Sequence, residues 1–402
     1  MAIDPNRTLH PVRHDSPTAL REHRDVVIVG ARAAGASTAM LLARAGVDVL
    51  VVDRAGYGTD TLSSHALMRG GVEHLRRWGL LDRVAAATPA IHRSVFEFGG
   101  EPLVVDAADG VSDDPLYAPR RTVLDPILVD AAREAGAEFR FGTRMVDVVR
   151  DRTGRARGID LETADGRAAR ITADLVIGAD GLRSLVARCV DAAVTRRGHH
   201  CLASIYSYVR DADLSQHDYR FAYDGGEIGG SIPTNEGMHC VFVSMAPQAF
   251  RRGVQLDAAT VLECTLARVS PSIAEGARAG SLVGPIRSFP GHPGQLRSAH
   301  GPGWALVGDA GYFKDPAAAH GLSDAFRDAE LLVAAIVSED LDAYQRVRDN
   351  LSMPLFGHIE KLAALDWDAA GARDILIDFA ASMAAESRAL AEHRDAVRSP
   401  VG

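Results

Sequence analysis

Residues 25–54 read DVVIVGARAAGASTAMLLARAGVDVLVVDR, and their apolar positions change period twice. The unbroken run Val26–Val29 predicts a strand buried on both faces, ending in a turn at Gly30. A helix of small residues is expected from about Ala33 to Ala45, and Val47–Val52 predicts a second buried strand ending at Asp53. Strand, helix and parallel strand, with an acid about 20 positions past the turn, form the pattern of a dinucleotide-binding unit. The helix start around Ala33 and Ala34 would offer free N–H groups and a positive dipole end to a pyrophosphate. Asp53 can accept from both ribose hydroxyls.

One position departs from that pattern. The spacing G-x-G-x-x-G would put glycines at 30, 32 and 35, and residue 32 is Arg. Gly30 permits the tight turn and Gly35 permits close packing of helix on strand. Arg32 then either points away or meets a phosphate itself.

The later pattern alternates between helical and strand periods. Thr59–Leu81 begins as a loop and becomes an amphipathic helix, with Leu67, Val72, Leu75, Trp78 and Leu81 on one face. His65 falls at the junction, beside Ser63 and Ser64 as candidate caps. Arg120–Gly142 predicts a basic edge, a helix with Pro126 near its start, and a strand. Met145–Ala173 predicts a small antiparallel meander broken at Thr153-Gly154 and Asp165-Gly166. Asp174–Val186 is another buried strand, glycine turn and helix start. From Arg188 to about Gly284 the alternating segments predict an inserted, mainly antiparallel sheet with one or two helices. Gly303–Ile336 returns to a short strand ending at Gly308-Asp309, a loop through Pro316, and a helix from Gly321. From Ser338 the chain is expected to be helical, with breaks at Pro354 and Gly357.

The fold class that follows is α/β. It comprises a Rossmann-like dinucleotide-binding domain with a parallel sheet and an antiparallel meander, an inserted, mainly antiparallel substrate domain, and C-terminal helices. The expected boundaries are 1–24 for an N-terminal extension; 25–92, 119–187 and 285–337 for the nucleotide domain; 93–118 and 188–284 for the substrate domain; and 338–402 for the helices.

Composition narrows the function classes. Hydrophobic content of 47% and charged content of 24% are those of an ordinary globule. The net charge of −9 gives no basic face for nucleic acid, and no apolar run reaches bilayer length. Residues 1–24 have no apolar signal core, so the cytoplasm is the expected compartment, without stable membrane association. The four cysteines, Cys189, Cys201, Cys240 and Cys264, lack metal or C-x-x-C spacing and read as reduced core thiols. The only lysines are Lys314 and Lys361.

Three separated motifs carry a resemblance: GARAAG with DR at 30–54, GADGLRS at 178–184, and GDAGYFKDPAAAHGLSDA at 308–325. In this order they resemble the FAD-dependent monooxygenases of the para-hydroxybenzoate hydroxylase type, a superfamily shared with geranylgeranyl reductases and flavin-dependent halogenases. The resemblance implies that Gly30, Arg32, Ala33, Ala34, Gly35 and Asp53 hold the ADP half of FAD, with Arg54 beside the adenine. It places Arg120 or Arg121 near the flavin phosphates, Asp180 and Gly181 on FAD, and Gly308 and Asp309 at the ribitol. Pro316, Gly321 and Leu322 would face the flavin pyrimidine edge, where a helix dipole favours negative charge. His65, His320 and Lys314 form the implied flavin-proximal catalytic set, and Tyr206, Tyr208, Phe221, Tyr223 and Pro233 the implied substrate walls.

The activity so implied is NAD(P)H-dependent insertion of one atom of O2, through a flavin C4a-(hydro)peroxide, into a small or medium organic substrate. An aromatic or polyketide-like compound is the expected substrate, and monomer and homodimer stay open. A C=C reductase is the alternative. The Trp-x-Trp-x-x-Pro signature of tryptophan-type halogenases is absent, as is a second G-x-G-x-x-G, and at 402 residues no thioredoxin-like tail is expected. No metal is implied.

Overall fold

The computed structural model describes residues 22–107, 114–254 and 257–398. Five parallel strands make the centre of the first sheet, in the spatial order Trp304–Leu306, Ala168–Gly178, Glu22–Val29, Val49–Asp53 and Glu138–Phe141. The register aligns their carboxyl ends: Val29 pairs with Val52 and Gly178, and Leu306 also pairs with Gly178. Backbone bonds continue past the ends, from Gly30 N to Val52 O, Ala179 N to Val29 O and Val307 N to Gly178 O.

The period of two along Val26–Val29 decides the layers. Val26 and Ile28 face helices Ala33–Arg44, Arg121–Glu134 and Gly321–Val337. Val27 and Val29 face a second core formed with the meander Arg144–Arg150, Ala156–Glu162 and Ala168–Gly178 and with helix Leu185–Cys189. The long strand Ala168–Gly178 is antiparallel to its meander neighbour over Ala168–Thr172 and parallel to Glu22–Val29 from Ile171 onward.

The second sheet has seven strands, ordered Ser281–Phe289, Ala203–Arg210, Met238–Met245, Glu227–Pro233, Asp218–Asp224, Arg93–Phe98 and Glu101–Asp106. All pairs are antiparallel except Asp218–Asp224 with Arg93–Phe98. One cross-strand line runs Tyr206, Phe242, Gly230, Phe221, Phe96. A Cβ on Gly230 would meet the Phe242 ring at 2.6 Å, so the glycine is what lets that ring lie across the line. Helices Leu341–Ala363 and Ala369–Arg398 pack on each other, and the latter also touches the second sheet.

Several local expectations are corrected. Glu22–Arg24 belongs to the first strand, pairing with Ile171–Ala173, so the extension cannot reach residue 24; residues 1–21 lie outside the described residues. The helix after His65 starts only at Arg69, and Ser63 Oγ accepts from His65 N rather than capping it. Pro126 sits in the second turn, because helix Arg121–Glu134 begins where Asn235 Oδ1 takes the Arg120 N–H at 2.7 Å. Pro354 does not break helix Leu341–Ala363. The carbonyl it leaves unpaired belongs to exposed Asn350, where water can serve it. Of the cysteines, only Cys240 is buried and Cys264 is exposed; all four are free thiols.

Candidate active site

The three motifs converge at the carboxyl edge of the parallel sheet. A Cβ on Gly30 would meet Ala179 O at 2.4 Å, and one on Gly308 would meet Ala34 Cβ at 2.8 Å. A Cβ on Gly35 would stand 1.8 Å from Gly30 O. The opening helix, the 178–184 turn and the 308–311 turn thus meet at distances only glycine allows.

At one end of this edge lies a cavity lined by Ala31, Arg32, Asp53, Gly56, Asp125 and Phe141, among others. Asp53 accepts from Ala31 N and Ala55 N, both at 2.7 Å, and each carboxylate oxygen keeps a further lone pair for a hydroxyl. Arg32 turns along the edge, donating to Asp60 O at 3.3 Å and standing 3.7 Å from Asp125 Oδ2. Burial lowers the Arg32 pKa, with Asp125 opposing. Arg121 is buried and binds Asp125 Oδ1 at 2.8 Å. Arg54 is exposed directly after Asp53.

In the middle, Asp180 Oδ2 accepts from Leu185 N at 2.6 Å while Oδ1 is buried without a partner. Burial raises its pKa. Gly181 has φ of 77°, with open space beside it. Asp309 lies deep among protein atoms yet open toward the groove, and desolvation pushes its carboxyl up to about 6 against Lys314 and Arg121. Solvent at its open side limits that shift.

The far end is the loop from Lys314 to Gly321. Asp315 accepts from Leu202 N at 2.7 Å and Ala317 N at 3.1 Å, and caps the short turn at Pro316. Ala319 turns the chain at φ of 51°, and helix Gly321–Val337 starts with Gly321 exposed. The first N–H groups of a helix lack intrahelical acceptors, and Ser323 Oγ beside them is buried without a partner.

Between this loop and the second sheet stands a polar group that periodicity could not assemble. His65, buried and at φ of 67°, holds the Tyr208 hydroxyl on Nε2, with Nδ1 unpartnered. Burial, aided by Arg121, pushes the imidazole down to about 3, so it is neutral. The Arg120 guanidinium lies 4.3 Å above the Tyr208 ring. Arg120 and Arg287 both bind Asp60 Oδ2, at 3.2 and 2.9 Å. Tyr206 accepts from Ser63 N at 3.2 Å, and burial raises its hydroxyl to about 12.

Of the expected substrate walls, Tyr208 meets His65 and Tyr206 holds Ser63 N nearby, whereas Phe221 stacks on Phe96 and Tyr223 on Phe98 farther across the sheet. Pro233 ends its strand, and Thr234 and Asn235 after it tie down Ala118 O and Arg120 N. Lys314 and His320 are not with His65; they lie in a separate buried cluster. Asp60, Arg287 and Asn235 went unread in the sequence. Asp60 had only its loop position as a signal, and Arg287 had none.

The donor set suits a dinucleotide with a polyol bridge. Glycines shape the close approach, Asp53 and Asp180 keep free acceptor capacity, Asp309 opens to the groove, and a helix start closes the line. These residues fit FAD, and a fold of this kind with this edge defines a dinucleotide-binding flavoprotein. A family model described as an FAD binding domain matches residues 23–349. The chain belongs to that family.

Its relatives are flavin-dependent oxidoreductases, and so is this protein. It is 28% identical to digeranylgeranylglycerophospholipid reductase 2 of Methanopyrus kandleri over 79% of this chain and 78% of that one. It is 33% identical to the aklavinone 12-hydroxylase RdmE of Streptomyces purpurascens over 48% of this chain, but that match spans only 38% of the hydroxylase. Among solved structures, the myxobacterial chondrochloren halogenase CndH superposes with a TM-score of 0.73 at 21% identity, covering 83% of this chain and 81% of that one. At that identity the likeness speaks for the fold. No helix among the described residues is long and apolar enough to cross a membrane.

Proposed function

We propose that the protein is an NAD(P)H-consuming monooxygenase that places one oxygen atom from O2 into a small or medium aromatic or polyketide-like substrate. The supporting observation is the buried His65–Tyr208 pair beneath Arg120, at the junction of the nucleotide edge and the aromatic sheet face. When bound, FAD supplies the redox chemistry, taking electrons from the nicotinamide and passing them to oxygen.

The chain's own residues handle protons and water. Tyr208 keeps its proton, because burial raises its pKa far above the ordinary value. His65 is neutral, so one ring nitrogen carries a proton and the other accepts one. A substrate hydroxyl meeting Nδ1 can hand over its proton while Nε2 passes one to the Tyr208 oxygen and Tyr208 releases its own hydroxyl proton to solvent, so that neither the ring nor the phenol gains charge. Arg120 above the phenol favours negative charge on that side. Tyr206, Phe221, Phe242 and Phe96 give the apolar line that keeps water away.

A C=C reductase is the second reading, because the reductase relative is matched over most of both chains and the hydroxylases over less than half of theirs. The test mixes FAD-loaded protein, NAD(P)H and a panel of phenols, quinones, polyketide aromatics and prenyl lipids, with and without labelled O2. The expected product gains one labelled oxygen. A product two hydrogens heavier, formed without O2, selects the reductase.

A further inference from the structure

A buried ionic cluster lies behind the loop Lys314–Gly321, drawn from four segments. Lys314 and His320 come from the loop, and Asp324, Arg327 and Asp328 from helix Gly321–Val337. Ser352 comes from helix Leu341–Ala363 and Glu386 from helix Ala369–Arg398. None is more than 8% exposed. At such burial, charges act on one another with little screening.

The contacts around His320 are two-sided. Lys314 Nζ binds Asp324 and stands 3.3 Å from His320 Nδ1. Asp324 Oδ1 is 3.1 Å from the same nitrogen and 3.1 Å from Arg327 Nη1. Arg327 also binds Asp328, Ser352 and Glu386. On the other side of the ring, Nε2 faces Glu386 Oε2 at 3.6 Å. Phe379 meets the imidazole edge-on, and Tyr312 lies under Lys314 and Arg327.

Nδ1 therefore faces a donor and an acceptor at once. Unprotonated, it accepts from Lys314; protonated, it donates to Asp324, while Nε2 faces Glu386 in both states. Both protonation states find partners without any heavy atom moving. The charge count agrees. With His320 neutral, the two cations Lys314 and Arg327 face three carboxylates, Asp324, Asp328 and Glu386, so one added proton neutralises the cluster. Asp309, in the groove, is a further acid felt by Lys314.

We propose that the Lys314–His320 pair takes up a proton when the bound flavin gains two electrons, and that Glu386 sets the pair's hold on that proton. His320 directly precedes Gly321, the helix start that faces the cofactor edge. Burial pushes Lys314 down to about 7, and burial with Lys314 and Arg327 pushes His320 well below its ordinary value. The pair thus has room for one more proton at neutral pH, and a nearby anion raises its affinity. The step balances: a hydride donor delivers two electrons and one proton, leaving one added negative charge if flavin N1 stays unprotonated. One solvent proton, bound at the pair, offsets it, and only an N–H bond forms.

This inference rests on FAD lying at Gly321, and not on oxygen insertion. The test is the midpoint potential of the FAD-loaded protein between pH 6 and 9, with the reduced-flavin spectrum recorded at each pH. Two protons per two electrons give about 59 mV per pH unit, and one proton about 30. The wild type is expected at the steeper slope with an anionic reduced-flavin spectrum. His320→Gln and Lys314→Met are expected at the shallower slope, and Glu386→Gln should move the wild-type break to lower pH. A shallow wild-type slope, or a neutral reduced-flavin spectrum, overturns the proposal without any variant. Steep slopes in both His320→Gln and Lys314→Met overturn it as well.

Discussion

Tyr208 and His65 lie ring against ring, their centroids 5.7 Å apart and their planes 9° from parallel, with the phenolic oxygen on Nε2. The pair spans 143 residues of sequence and joins the nucleotide region to the second sheet. Everything proposed for substrate handling passes through it.

Tyr208→Phe removes the hydroxyl and keeps the ring under Arg120. Substrate-stimulated turnover is expected to fall about a hundredfold, the usual scale for a lost proton-transfer partner. FAD content per chain should be unchanged, which separates a chemical role from a binding one. Full turnover in a fully loaded variant would remove the pair from the mechanism.

The same burial predicts a pH dependence of stability. His65 has a folded-state value of about 3 against an ordinary 6.5. The unfolded chain therefore binds the extra proton between those limits, and stability falls as pH drops through that window. His65→Gln should show a flatter decline in Tm from pH 7 to pH 4 than the wild type. Parallel declines would mean that His65 is not held neutral.

Gly35→Ala should abolish FAD loading, because the new Cβ would stand 1.8 Å from a backbone oxygen that cannot move aside. Overpacking of this kind costs about 1–3 kcal/mol or more. Gly321→Ala meets nothing within 4 Å and should leave folding intact. Soluble yield and the FAD-to-protein absorbance ratio of the two variants check both statements.

Arg32 stands where the usual spacing has glycine, and its guanidinium ties the 59–60 backbone to Asp125. Arg32→Ala should weaken FAD binding about tenfold, or ~1.4 kcal/mol, by freeing that loop and removing a cation from the edge. Fluorescence titration of apoprotein with FAD measures it. Unchanged affinity would show that Arg32 only fills the turn.

The elements that lie at the nucleotide edge were legible because their signals are local. Val26–Val29 and Val49–Val52 are continuous apolar runs, and Gly30 and Gly308 in turns and Gly35 in the first helix stand where the geometry excludes a Cβ. Such constraints act between neighbours, so spacing along the chain records them. Helix limits were less legible: Pro126 lies inside its helix because Asn235 fixes the helix start at Arg121, and Pro354 is tolerated because solvent at Asn350 can serve the carbonyl it leaves unpaired.

Tertiary structure alone decided which polar side chains meet. Lys314 and His320 are near His65 in no sequence sense, and packing sends them to Glu386, 66 or more positions later, rather than to the imidazole. Asp60 gathers Arg120 and Arg287 from segments 60 and 227 residues away. A hydrophobic period fixes which face of an element is buried, but it carries no record of which distant charge will lie opposite. That pairing is set by how the two sheets and the last helices close on one another, and the desolvation produced by that closure moves His65 and Lys314 from their ordinary pKa values.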